Sequence, residues 1–220
     1  MPKTVVVFSG GLDSTTLLHH LRDVGHTVQA LAVDYGQRHR ARELAAATDL
    51  AADLGVALRM LDLRSLVGFL GSNSLTDATI AVPDGAYAPE TMALTVVPNR
   101  NMVLLAVALS WAAASGCDAV AFGAHAGPYT PYADCTPAFA AAMHAAAQVG
   151  SAPPLAVLAP FVTWTKADIV TRGHALNVPW ARTWSCYKGE ALHCGRCGTC
   201  LDRRQAFVAA GIADPTDYAA

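Results

Sequence analysis

The chain has 220 residues, 53% hydrophobic and 15% charged, and its 15 Lys and Arg against 17 Asp and Glu leave a formal net charge of −2. That length buries one sizeable core and predicts one domain over 1–220, while the near balance of charge excludes the basic face that a nucleic acid backbone needs. The mean hydropathy of +0.32 owes much to alanine, and the longest apolar run, Met102 to Gly116, is shorter than the about 20 residues of a spanning helix, so neither a nucleic acid nor a membrane is an expected partner.

In chain order, MPKTVVVFSGG opens with an apolar run too brief for a signal-peptide core, which predicts a cytoplasmic, reducing setting in which clustered cysteines bind metal rather than form disulfides. Strand Val5 to Phe8, helix Asp13 to Val24, strand Val28 to Gly36, helix His39 to Leu54 and strand Val56 to Leu63 then alternate. That order predicts an α/β fold, a doubly wound parallel sheet whose apolar strands are covered on both faces. From Arg64 to Val97 the pattern gives way to Gly, Ser, Asn, Pro and Asp, a stretch read as a substrate-side insertion. Regular elements resume with a helix Asn101 to Ser115, a strand Asp118 to Ala124, the loop GPYTPYADCTP, a helix Ala138 to Val149 and a strand Leu155 to Pro160. Thr165 with Asp168 approximates a capping box, so a helix is predicted from there to about Ala175.

The string Phe8-Ser9-Gly10-Gly11-Leu12-Asp13-Ser14 lies where a buried strand hands over to a helix. Its glycines let the backbone approach a phosphate, and its amides, the Ser9 and Ser14 hydroxyls and the helix dipole aim at one anion. A carboxylate beside phosphates repels them unless a cation intervenes, so Asp13 predicts Mg2+ on the diphosphate leaving group. A plain glycine turn with an Asp cap is the alternative from these residues alone. The string is neither GxGxxG nor GxxxxGK[ST].

Cys186, Cys194, Cys197 and Cys200 are spaced C-x7-C-x2-C-x2-C, four thiolates that close a tetrahedral zinc shell with no position for water, which predicts one structural Zn2+ per subunit in a C-terminal segment, 184–210. Four thiolates suit iron as well. His193, directly before Cys194, reads as a bystander, Cys117 as a small buried hydrophobe, and Cys135 as facing the crevice.

The phosphate string resembles the SGGxDS loop of the ATP-pyrophosphatase superfamily, which cleaves ATP between the α- and β-phosphates and transfers AMP to an oxygen. Together, SGGLDST, DYGQRH, VPNRN, FGAH, YADC, TWTKADIV and TWSCYKGEALHCGRCGTCLDRRQAF resemble the 7-cyano-7-deazaguanine synthase family of the queuosine pathway over almost the whole chain. The resemblance implies an adenine nucleotide alpha hydrolase-like fold and a carbon–nitrogen ligase. It would convert 7-carboxy-7-deazaguanine, free ammonia and two ATP to the nitrile through an amide. On it, Phe8 to Ser14 would hold ATP, with Asp13, Ser14, Lys166 and Arg100 catalytic. Arg38, His125, Tyr132 and Asp134 would meet the substrate, and the chain would be a homodimer. Ala133 and Thr136 stand where the family pattern PDCRP has Pro and Arg. That departure implies compensation elsewhere or a paralogue that stops at the amide or joins another amine.

Overall fold

The computed structural model describes residues 1–126 and 132–219. Part of the loop GPYTPYADCTP, 127–131, lies outside them. Among the described residues five strands, β1 (Lys3–Val7), β2 (Thr27–Asp34), β3 (Leu58–Asp62), β4 (Ala119–Ala121) and β5 (Ala156–Leu158), form one sheet in the order β3-β2-β1-β4-β5. Every adjacent pair is parallel. The order reverses direction between β1 and β4, which opens a crevice at their carboxyl ends.

Side chains alternate across the strands and so feed two cores. On one face Val6, Phe8, Ala30 and Ala32 pack with Leu17 of α1 (Leu12–Asp23), Leu50 of α2 (Arg40–Asp53), Ile169 of α6 (Lys166–Ala175) and Phe207 of α7 (Gly198–Ala210). On the other, Val5, Leu31, Val120 and Val157 pack with Leu104 and Leu105 of α4 (Arg100–Ala114) and Ala140 of α5 (Pro137–Gly150). Each buried Leu or Val is worth about 1.5–3 kcal/mol relative to exposure. The doubly wound parallel sheet is therefore as predicted. No single helix among the described residues is long and apolar enough to cross a membrane.

The departures have local causes. β3 is an edge strand with Met60 50% exposed, so it lacks the two-sided burial expected of it. β4 is shorter than predicted because the chain leaves the sheet after Ala121 to run over the phosphate turn. A Cβ on Gly123 would sit only 3.4 Å from the Asp13 carbonyl carbon. The 64–97 insertion contains a 3-10 helix, Arg64–Phe69, and α3 (Pro89–Thr95). Between them Asn73 Oδ1 accepts from the amides of Leu75 and Thr76 at 3.0 and 3.1 Å, an Asx turn that needs no periodic pattern. The Thr165 box forms as predicted. Thr165 Oγ1 accepts from the Asp168 amide at 3.2 Å, and Asp168 accepts from the Thr165 amide at 2.8 Å.

Candidate active site

The turn after β1 is preorganised by its own residues. Ser9 and Ser14 hydroxyls lie 3.2 Å apart, and the Gly11 amide donates to Ser9 Oγ at 3.2 Å. Gly11 caps α1 with no side-chain hydrogen bond, which leaves first-turn amides for an anion. Gly10, at φ 72, carries a different constraint. A Cβ there would fall 2.5 Å from the Ala47 backbone nitrogen, so the glycine is required by the approach of α2 as well as by its left-handed conformation.

A cavity of about 290 Å³ opens over this turn, lined by Ser9, Gly11, Asp13, Ser14, Gly123 and Lys166 among others. Lys166, brought in by the first turn of α6, places Nζ 3.2 Å from Asp13 Oδ2 and 2.9 Å from Asp202 Oδ2. His125 Nε2 is 3.8 Å from the same Asp13 oxygen. Burial alone would raise the Asp13 carboxyl, but the Lys166 ammonium and His125 hold it below the usual carboxylate range. Burial would lower Lys166, yet Asp13 and Asp202 keep it firmly protonated. Asp13 Oδ1 is buried and has no hydrogen-bond partner. An unsatisfied carboxylate oxygen beside free helix amides fits a cation between carboxylate and phosphate.

A second cavity of about 730 Å³ adjoins the first and shares Met92, Arg100, Tyr132 and Tyr187 with it. Asp134 lines the second alone. Its Oδ2 accepts from the Asn101 amide at 2.9 Å, and the Tyr132 hydroxyl lies 2.7 Å from Thr95 Oγ1. Arg100 opens α4, one residue before the predicted start, with Tyr35, Tyr187, Cys135 and Asp134 close enough to offset the desolvation of its guanidinium. Cys135 also lines the first cavity, and burial, with Asp134 adjoining, pushes its thiol up to about 12. Thr136 caps α5 by accepting from the Phe139 amide at 3.1 Å.

Arg38 is placed elsewhere. Its Nη1 donates to the carbonyls of Ser74 and Ile80 at 3.2 and 2.9 Å, so it pins the insertion and lines neither cavity. Its neighbour His39 faces the first cavity instead, 4% exposed, with its ring against Tyr187 at 5.4 Å. Burial lowers the His39 pKa even though Glu43 opposes it.

The four tail cysteines are buried and their Sγ atoms all lie within 4.8 Å of one another. Tetrahedral thiolate sites need sulfurs roughly 3.8 Å apart, from metal–sulfur bonds of about 2.3 Å. The amides of Lys188 and Cys194 donate to Cys186 Sγ at 3.4 Å and that of Cys197 to Cys194 Sγ at 3.3 Å, the support that thiolate ligands require. The cluster therefore fits a metal ion. His193 stays out of it, its Nε2 accepting from the Ser185 amide at 3.0 Å. Cys117 is buried in the second core.

This tail also forms a wall of the first cavity, through Trp184, Ser185, Tyr187, Thr199 and Asp202. The Trp184 amide donates to the Gly10 carbonyl at 3.0 Å, tying the wall to the phosphate turn. Tyr35, Tyr187 and Asp202 lie within strings quoted above, but their places on the cavity wall are set only when the insertion, which brings Tyr87, and the tail fold over the crevice.

A family model described as "Queuosine biosynthesis protein QueC" matches residues 3–211. The chain is 52% identical over 219 residues to 7-cyano-7-deazaguanine synthase of Paracoccus denitrificans (strain Pd 1222), covering 98% of this chain and 93% of that one. It is 50% identical over 220 residues to the protein of the same name from Ruegeria sp. (strain TM1040), covering 99% and 93%. Among solved structures, NMN synthetase from Francisella tularensis superposes with a TM-score of 0.50 at 12% identity over 96% of this chain and 78% of that one, a likeness of fold alone. With the family model spanning nearly its full length, the chain belongs to the QueC family.

Proposed function

We propose that this protein makes 7-cyano-7-deazaguanine from 7-carboxy-7-deazaguanine and ammonia by two rounds of ATP-dependent adenylation at one site. In the first, a substrate carboxylate oxygen attacks the α-phosphorus of ATP and diphosphate leaves. Ammonia adds to the acyl adenylate, AMP departs, and a proton is lost to give the amide. In the second, the amide oxygen is adenylated and loss of AMP with the two remaining N–H protons leaves the nitrile.

The α1 amides and the Ser9 and Ser14 hydroxyls would bind the phosphates, and Lys166 would offset charge growing on the leaving diphosphate. Asp13 stays ionised at neutral pH because Lys166 and His125 depress its pKa, and its free Oδ1 would hold Mg2+. When bound, that ion would neutralise charge on the phosphates beside Asp13. The larger cavity would take the planar base, with Asp134 and Tyr132 along it and Arg100 at the shared wall to orient the acid toward the nucleotide. Zn2+ is the ion proposed for the cysteine cage, with a purely structural role.

The observation that carries this reading is the Lys166 ammonium held between Asp13 and Asp202 directly over the uncapped turn of α1. The replacement of the family's Pro and Arg by Ala133 and Thr136 favours one second reading, a product that stops at the amide. Mass spectrometry of the product formed from the acid, MgATP and 15N-ammonium decides between them. The nitrile carries one heavy nitrogen and neither carboxylate oxygen, whereas the amide carries one heavy nitrogen and keeps one of them. An amide as the only product, with no nitrile on addition of fresh ATP, rejects the two-round mechanism.

A further inference from the structure

We infer that Asp202 is a positioning residue, the fixed anchor that keeps the Lys166 ammonium over the phosphate turn when an incoming nucleotide and its cation take Asp13 out of the pair; the inference rests on the adenylation reading above. Two carboxylates share one ammonium here, at 3.2 Å from Asp13 and 2.9 Å from Asp202, but they are held very differently.

Asp13 sits in the first turn of α1 with Oδ1 unpartnered. It faces the place where helix amides converge, so any triphosphate bound there competes for its surroundings, and a cation bound to it displaces Lys166 by like-charge repulsion. Asp202 stands on α7, whose start is fixed by two cage cysteines, Cys197 as the cap and Cys200 in the first turn. The residue after it, Arg203, is fully buried. Arg203 donates to Thr183 Oγ1, Ser185 Oγ and the Trp180 carbonyl at 2.8, 3.1 and 2.9 Å. One wall thus carries a carboxylate that has no reason to move when the nucleotide arrives, while the other carries one that does.

The consequence is energetic. With Asp202 present, Lys166 keeps an ion pair throughout nucleotide binding. Without it, Asp13 is its only close carboxylate partner among the described residues, so MgATP must separate Lys166 from Asp13 with no protein carboxylate left to hold the ammonium in place for the phosphates. Removal of Asp202 should therefore weaken MgATP binding through Lys166, and leave the acid substrate and the cage metal untouched.

The test is calorimetric titration of the full, metal-loaded chain with MgATP, alongside metal content. Asp202→Asn, which keeps shape and removes charge, is expected to raise the Kd about tenfold, within the range of coupling between contacting charged groups, with metal content unchanged. Asp202→Glu is expected to recover most of the affinity. On a Lys166→Met background, Asp202→Asn is expected to add less than about twofold, since its effect passes through the missing ammonium. Wild-type affinity in Asp202→Asn, or a full additional loss on the Lys166→Met background, overturns the inference. A wild-type chain that binds MgATP but releases no diphosphate with the acid would instead overturn the adenylation reading, and the affinities would still judge Asp202.

Discussion

The phosphate turn and the wall that faces it meet at one cavity but are held in different ways. Ser9, Gly11 and Ser14 fix the turn through hydrogen bonds among near neighbours in sequence. Trp184, Tyr187 and Asp202 reach the same cavity from the tail, where four cysteines and the buried Arg203 set their positions. A local device is enough to grip phosphate, because every nucleotide presents the same anion. The facing wall is assembled from distant segments, and the buried four-cysteine knuckle, which fits a metal ion, holds the tail in place there.

If that division is right, the strongest perturbation is at the tail. Removing one cage ligand, Cys197→Ser, or stripping the metal with a chelator, is expected to lower Tm by on the order of 10 °C, since metal binding contributes directly to folding. Diphosphate release should disappear with it, because Tyr187 and Asp202 lose their support. Metal analysis with thermal unfolding monitored by circular dichroism checks this. Retained stability and turnover in a metal-free chain would break the comparison.

Next in size is the turn itself. Gly10→Ala forces a Cβ to 2.5 Å from the Ala47 backbone at a positive φ, with an expected loss of about 2–4 kcal/mol. Denaturant titration measures it, and the cage metal should be retained in the folded fraction. The smallest effect belongs to Cys135. Its thiol is pushed up to about 12 by burial and by Asp134, so between pH 7 and 8 it is protonated and a poor nucleophile. Cys135→Ser is expected to keep diphosphate release within about threefold. A loss of turnover in this variant would point to covalent thiol chemistry and away from simple adenylation.

How much of this could be read in the sequence follows the same line. The parallel sheet, the phosphate turn, the Thr165 box and the four cage ligands are written in contiguous or regularly spaced residues, where strand-to-helix turns, caps and x2 spacings act locally. The family resemblance implies that Arg38 meets the substrate. Its length instead lets it reach the carbonyls of Ser74 and Ile80 in the insertion, and His39 takes the place in the cavity. Asp202 lies in LDRRQAF, for which no helix is predicted from the sequence, and only the folding of α7 against α6 gives it Lys166 as a partner. The shape of the larger cavity depends on α3, a seven-residue helix inside a stretch with no periodic signal.

The central claim is that ATP is opened at its α-phosphorus over the turn that follows β1. Incubation with ATP labelled at the α-phosphate, together with 7-carboxy-7-deazaguanine and ammonium, tests it most directly. Label recovered as AMP, with unlabelled diphosphate released in equal amount and none of either without the acid, is the predicted result. Label recovered as ADP, with free phosphate released, would contradict the account.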